Sequence, residues 1–470
     1  MSKATKLKHQ LGSHAVVIGG SLGGLLSARV LSDYYERVTI IERDAVAESV
    51  EPRNGVPQGR HVHVIYGGGA KAIEEVLPGF FEELVQAGSM KLDFCNDLAW
   101  YHGGVWKLRT ETDLVSYWQS RPFLEAHVRR RVKSDTDVEF LEEMEVRSLV
   151  ADESKSRVKG VEVRQIGGDG ELTTIDADLV IDASGRNSRV PQWLEDLGYS
   201  KLGESTVDVN LGYASRIYER PSDDLRDWKI LGLFGTAPSG KKTGYIFPIE
   251  GQRWIATEVG YLEDYPPDDD DTYLQFASEL ERPDFYDALK DAKPLTPIVT
   301  YRFPSHRWRH FERLQRLPQG LLAVGDSICS FNPVYGQGMS ACALEVKLLA
   351  QMLANLGAGN GLPADFAQRF FGRASKIVAN PWLLATNSDF MYPGTGGRRP
   401  LGTKLLNWYV KHVFRLCASN KGVCLRFHRV LHFINGPTAL FHPYVMLQVF
   451  KSALGLVQKP LQQRPGPSGL

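Results

Sequence analysis

Apolar and polar positions along the chain fall into two rhythms, and the switch between them marks its organisation. Ala15-Val16-Val17-Ile18 is an unbroken apolar, β-branched run, the pattern of a strand buried on both faces of a parallel sheet. It breaks at Gly19-Gly20-Ser21, and apolar residues then recur at Leu22, Leu25, Leu26, Val30 and Leu31, one helix face packed on that sheet. Val38-Thr39-Ile40-Ile41 predicts the next strand. Residues 70–87 and 339–356 read as helices, and Ser120 with Pro122 predicts an N-cap and first turn for another. Val161-Glu162-Val163-Arg164 alternates, Gly167-Gly168-Asp169-Gly170 turns, and Asp178-Leu179-Val180-Ile181-Asp182 is apolar, so a meander feeds a buried strand. Between 205 and 300 the rhythm is alternating and aromatic, with strands predicted at 207–218, 230–234, 245–248 and 254–260, a sheet able to wall an apolar cavity. Asp268 to Asp271 reads as an acidic helix start rather than a cation site. The last hundred residues look helical.

Composition narrows the function classes. At 470 residues the chain has room for two or three domains, and its 55 basic and 55 acidic residues cancel, which argues against a nucleic-acid partner. Arg129-Arg130-Arg131 is expected to complement the negative end of its helix. Cys95, Cys329, Cys342, Cys417 and Cys424 form no C-x-x-C pair, so a reduced intracellular set without disulfide or zinc is expected. The basic start, Met1 to Lys8, lacks a signal peptide's apolar core, and a cytoplasmic location follows as the expectation. Residues 431–450 contain no Asp, Glu, Lys or Arg, but Asn435, Gly436, Pro437, His442 and Pro443 interrupt them. A helix pair packed on the body is the reading there, and peripheral membrane contact is not favoured.

Two turns carry the chemistry. Gly19-Gly20-Ser21-Leu22-Gly23-Gly24 lies between strand and helix, and Glu42 ends the next strand 18 residues beyond Gly24. That is the order of a dinucleotide site: glycines admit a pyrophosphate, the helix N-terminus offers free N–H groups, and the acid takes ribose hydroxyls. Ser21 replaces the middle glycine of the usual pattern, and its hydroxyl can itself donate. The loop 51–63 places Arg53, Gln58 and Arg60 within eight positions, either a solvated loop or a clamp over a planar or anionic cofactor. His61 and His63, without further ligands nearby, read as structural rather than metal-binding. The second turn follows Leu321-Leu322-Ala323-Val324: Asp326 at the strand end can accept from polyol hydroxyls, and N–H groups near Gly338 and Met339 can stabilise negative charge.

With these turns the chain resembles the FAD-dependent monooxygenases of the aromatic-hydroxylase type, including polyprenyl-methoxyphenol hydroxylase-like proteins. The resemblance spans most of residues 14–395 and rests on the first turn with Glu42, on Arg121-x-x-Leu124-Glu125, on Asp182-Ala183-Ser184-Gly185-Arg186, and on Gly325-Asp326 with Asn332-Pro333-Val334-Tyr335-Gly336-Gln337-Gly338-Met339. Gly55-Val56-Pro57-Gln58-Gly59-Arg60-His61 and Trp382-Leu383-Leu384-Ala385-Thr386 look more narrowly like flavin epoxidases of polyether and polyene biosynthesis. The fold implied is α/β: a Rossmann-type FAD-binding domain of the glutathione-reductase-like three-layer kind, an inserted β-sheet substrate domain and a C-terminal helical region. The FAD-binding parts would be residues 1–85, 115–200 and 301–360, the substrate parts 86–114 and 201–300, and the helical region 361–470.

The resemblance also implies roles. Gly19, Ser21 and Gly24 would hold the FAD pyrophosphate, Glu42 the adenosine ribose and Arg121 the phosphate or ribityl region, with Leu22, Arg43, Arg53, Gln58 and Arg60 as further cofactor-binding candidates. Asp326 would take the ribityl hydroxyls, and Gly336, Gly338 and Met339 would face the isoalloxazine. Pro333 and Gly338, in that loop, are the candidate catalytic positions, and no general base is assigned. The middle motif reads Asp182-Ala183-Ser184-Gly185 where the family has Asp-Gly, and no second glycine-rich fingerprint exists for NAD(P)H. NAD(P)H would therefore act as a transient reductant, or a flavin reductase would be the partner. O2 would be co-substrate, with oxygen transferred from a flavin hydroperoxide to an alkene or phenol. Trp100, Trp106, Phe234, Tyr245, Phe247 and Trp254 point to a large apolar small-molecule substrate, a polyene, terpenoid or polyketide of secondary metabolism. The lack of an evident base leans toward epoxidation. Three rivals are a flavin-dependent halogenase (whose usual Trp-x-Trp-x-Ile-Pro is absent), a cyclase using FAD without net redox, and a non-catalytic flavoprotein.

Overall fold

A computed structural model describes residues 8–46, 50–53, 55–168, 170–357, 361–457 and 463–467. Expectations placed on the first seven residues, on Asn54 and on Asp169 lie outside them. The apolar run at 15–18 is the centre of a five-stranded, all-parallel sheet in the order Leu321–Ala323, Leu179–Asp182, Gly12–Ile18, Tyr35–Ile41, Glu139–Leu141. Its registers align Ile18 with both Ile41 and Asp182, and Asp182 with Ala323. The central strands therefore end at one level, and the turns that follow them open on one edge, where ligands of open parallel sheets bind. Helix Leu22–Leu31 covers one face with Leu22, Leu25, Leu26, Val30 and Leu31 buried. Met144–Ala151, Val158–Gln165 and Thr173–Asp176 form the expected meander.

The aromatic region builds a seven-stranded sheet in the order Cys329–Ser330, Val299–Arg309, Glu204–Glu219, Arg253–Gly260, Lys242–Ile249, Ile230–Leu233, Leu98–Tyr101. All its pairs are antiparallel except the last. Its run thus extends to Arg309 rather than stopping at residue 300, and Val115–Trp118 pairs with Met90–Asp93 beside it. One face packs on helices Asp270–Ser278 and Asp284–Leu289 through Trp106, Trp228, Trp254, Ile246 and Phe285. Asp269 caps the first of these by accepting from Thr272 N–H at 3.0 Å, the acidic helix start expected there.

Local readings change at three places. The helix expected over 70–87 is two, Gly67–Val76 and Phe80–Gln86, because Pro78 lacks a donor and Gly79 takes φ +78°. The triple arginine lies within helix Arg121–Asp135 rather than capping its end: Arg129 pairs with Glu125, and Arg131 with Glu83 and Asp135. Residues 431–450 hold the end of helix Lys421–Leu431, a 3-10 turn Pro437–Phe441 and the start of helix Pro443–Ala453. Among the described residues no helix is long and apolar enough to cross a membrane.

Candidate functional site

Three strand-end turns build the site. Gly19 adopts φ +97°, and a Cβ there would lie 2.7 Å from the Ala183 carbonyl oxygen, so only glycine lets the first and middle turns approach. Gly24 acts differently from the expectation. A Cβ on it would sit 1.8 Å from the Gly19 carbonyl oxygen, so its bareness serves the close packing of helix on strand, and it does not line the cleft. Ser21 caps helix Leu22–Leu31 by position, while its hydroxyl donates to Glu125 Oε2 at 2.7 Å and accepts from Arg121 Nη2 at 2.8 Å. Burial would raise the Glu125 carboxyl, but Arg121, Arg53, the Ser21 hydroxyl and Arg129 together hold it below its ordinary value.

Glu42 is buried at the end of its strand and accepts the Gly20 N–H at 2.8 Å. Arg53 bridges it (3.0 Å) to Glu125 (2.5 Å), so this cation is neutralised by two carboxylates and lines a smaller adjoining cavity of 370 Å³. Arg60 is exposed outside the cleft, because the 3-10 turn Pro57–Arg60 directs Gln58 inward instead. Arg43 stands exposed at the rim.

The middle and last turns are stitched together. Asp182 accepts from Ser184 Oγ and Ser188 Oγ, each at 2.5 Å, and so stabilises its own turn. Gly185 N–H donates to Ser327 Oγ at 2.9 Å, and buried Arg309 donates to the carbonyls of Arg186 (2.6 Å), Ser327 (3.0 Å) and Asp326 (3.3 Å). Burial raises the Asp326 carboxyl, opposed by Arg186, Arg121 and Arg309. Beneath it, Glu345 of helix Gly338–Ala354 accepts the Gly325 N–H at 2.6 Å, and burial pushes its carboxyl up to about 8.

The loop from Asn332 to Gly338 forms the roof. Asn332 accepts from Val334 N–H at 3.0 Å and donates to Asp389 at 3.1 Å. Asp389, buried at the end of helix Phe366–Asp389, also holds His306 Nε2 at 2.5 Å and the Tyr335 hydroxyl at 2.9 Å. Gly336 takes φ +63°, where a Cβ would lie 2.3 Å from Val64. The Gln337 amide is buried without a partner at the N-terminus of helix Gly338–Ala354.

These parts line one continuous cavity of 570 Å³. Its polar end holds Gly19, Ser21, Leu22, Glu42, Arg43, Gln58, Arg121 and Asp326, and its roof Pro333, Gly336, Gly338 and Met339. Arg121 Nη1 contacts the Met339 sulfur, while its Nε is buried without a partner. The far end is apolar: Phe94, Leu98, Trp100, Trp118, Phe234, Tyr245 and Phe247. Trp106 and Trp254, grouped with these in the sequence, belong to the core on the opposite face of the sheet. The parity of a strand decides this, since Tyr245 and Phe247 share one face while Ile246 turns to the other.

His61 and His63 also line the cavity, and among the described residues no cluster could hold a metal. His61 Nδ1 lies 2.7 Å from Ser215 Oγ, while its Nε2 is buried without a partner. Burial, then the neighbouring His63 and Arg60, push its imidazole down to about 3. His61, Asp389 and Arg309 are the site residues that sequence reasoning missed. For His61 the sequence offers one signal, its place at the end of the loop that carries Gln58, but two histidines without further ligands nearby read as structural.

A family model described as FAD binding domain matches residues 13–366. The chain belongs to this FAD-binding family. Protein Rv3254 of Mycobacterium tuberculosis (strain ATCC 25618 / H37Rv) is 33% identical over 390 residues, covering 81% of this chain and 80% of its own. Solved structures share the fold at low identity. The flavin-dependent brominase Bmp2 matches with TM-score 0.64 and 14% identity, over 94% of this chain and 98% of that one. The p-nitrophenol 4-monooxygenase PnpA from Pseudomonas putida DLL-E4 matches at 0.59 and 16%, over 90% and 99%. The Diels-Alderase PyrE3 matches at 0.59 and 15%, over 90% and 81%. The cleft fits the family's FAD: two helix N-termini, an Arg121 with an unpartnered Nε, an unpartnered Gln337 amide and glycine turns that a Cβ would fill all meet there.

Proposed function

We propose that this protein is an FAD-dependent monooxygenase that adds one oxygen atom from O2 to a large, apolar, electron-rich small molecule, an alkene or a phenol. One observation carries the reading: a single cavity runs from the nucleotide turns, under the Asn332–Gly338 loop, to an aromatic-walled end. When bound and reduced by NAD(P)H or a partner reductase, FAD supplies the electron transfer to O2 that makes an oxygen atom electrophilic. The chain's own residues do the rest. Ser21, Arg121 and the N–H groups of helix Leu22–Leu31 would hold the pyrophosphate, and Asp326 would accept ribityl hydroxyls. The N-terminus of helix Gly338–Ala354 would offset negative charge on the ring system. Trp100, Phe234 and Phe247 would exclude water and orient the substrate.

Hydroxylation of a phenol is favoured over epoxidation by one feature. His61, kept neutral by burial and hydrogen-bonded at Nδ1 to Ser215, presents an unpartnered Nε2 that can accept a hydrogen bond from a phenolic hydroxyl and so orient the ring. An imidazole held down to about 3 is too weak a base to take the proton. Purified protein supplied with 18O2, NAD(P)H and a panel of phenols and polyenes decides between outcomes. Label in the product supports the proposal. Unlabelled product formed without reductant or O2 would instead point to a cyclase, and halide-dependent turnover to a halogenase.

A further inference from the structure

From residue 390 onward the chain contains eleven Lys and Arg and no Asp or Glu, although its 55 basic and 55 acidic residues cancel overall. Four of these cations stand on two neighbouring helices. In Thr403–Leu416, Val413, Phe414 and Leu416 are buried, whereas Lys404, Leu405, Trp408, Lys411 and Arg415 are exposed at helical spacing on one face. In Pro443–Ala453, Val445 and Val449 are buried, and Met446, Leu447, Phe450 and Lys451 are exposed. The helices are joined by His412 Nδ1 at 2.9 Å from Ser452 Oγ, and Tyr409 of the first stacks on Phe441 of the 3-10 turn that precedes the second, with centroids 5.0 Å apart. Leu405 is 69% exposed, Leu447 52% and Phe450 57%, too much apolar surface on one face to be incidental. Lys404, Lys411, Arg415 and Lys451 have no carboxylate partner among the described residues.

We propose that this face docks on an anionic phospholipid surface. Unpaired cations flanking exposed Trp, Leu, Met and Phe match an interface with charged headgroups outside and acyl chains within. A second copy of the chain would set these cations against one another, with no acid on the same face to receive them. A nucleic acid would meet the charge but leave Leu447 and Phe450 in water. The buried faces of the same helices pack with Phe94, Trp100 and Trp118, which line the apolar end of the cavity. Docking would thus hold that end toward the lipid, where apolar compounds partition. The inference stands on the surface alone and does not depend on the reaction proposed above.

The test is cosedimentation of the full-length flavoprotein with phosphatidylcholine vesicles, with and without phosphatidylglycerol. Binding is expected to the anionic vesicles only, and to fall as salt rises. Losing one cation should lower the partition coefficient about fivefold, so Lys404→Gln with Lys411→Gln should lower it roughly 25-fold. Leu447→Asp with Phe450→Asp should abolish sedimentation while leaving the flavin spectrum and thermal midpoint unchanged. Equal binding to both vesicle types, or none, overturns the proposal. So does a dimer split by the Leu447/Phe450 variant, or tight DNA binding that the same variant retains.

Discussion

Glu345 offers a sharp test of how the site's floor is built. Its side chain is 1% exposed, and Oε2 accepts the N–H of Gly325, the residue before Asp326. Burial raises the carboxyl from 4.5 to about 8, with the Gly325 N–H opposing and Asp326 adding to the rise. At 1.36 kcal/mol per pKa unit, the fold prefers the protonated form by about 5 kcal/mol. The folded value lies above the unfolded one. This contribution is therefore complete below pH 4.5, is lost as pH rises toward 8, and is flat beyond. Between pH 5 and 8 the wild-type protein should lose roughly 3–4 kcal/mol from this group. Glu345→Gln copies the shape of the protonated acid, keeps an acceptor for Gly325 N–H and cannot ionise. Chemical unfolding measured from pH 5 to 9 should show the variant within about 1 kcal/mol of wild type at pH 5 and several kcal/mol more stable at pH 8. Parallel pH profiles, or a variant weaker at pH 8, would refute the reasoning.

Gly24→Ala sets a Cβ 1.8 Å from a backbone oxygen, so we expect a loss of about 3 kcal/mol or more and release of flavin, read by thermal midpoint and bound-flavin absorbance. Arg309→Met strips donors from the carbonyls of Arg186, Asp326 and Ser327, and should cost about 2–4 kcal/mol and weaken FAD binding in a fluorescence titration. His61 is held down to about 3, so stability is lost as pH falls from its unfolded value of 6.5 toward 3. His61→Phe should therefore be about 3 kcal/mol less acid-sensitive at pH 4, checked by unfolding at pH 4 and 7. If phenols are the substrates, the same variant lowers kcat on them and spares alkenes.

The parallel sheet, its helix Leu22–Leu31, the two charged strand ends and the meander were legible because each is written in a few consecutive residues. Buried strands need apolar runs, helix faces need a 3.6-residue rhythm, and close turns need glycine, so local chemistry alone declares them. Matters that turn on distant contacts were not legible. Arg53 and Gln58 sit in the same loop, yet the fold closes Arg53 onto Glu42 and Glu125 and leaves Gln58 in the cavity. Tyr245 and Trp254 are equally apolar, and only the parity of their strands puts one in the cavity wall and the other in a core. Asp389, 57 residues from Asn332, positions the roof loop, and His61 becomes chemically available only because Ser215 satisfies one of its nitrogens. The sequence by itself determined which segments become strands, helices and nucleotide turns. The tertiary structure alone decided which charges are neutralised and which polar atoms are left free, because burial and pairing are properties of neighbours that the chain brings together only on folding.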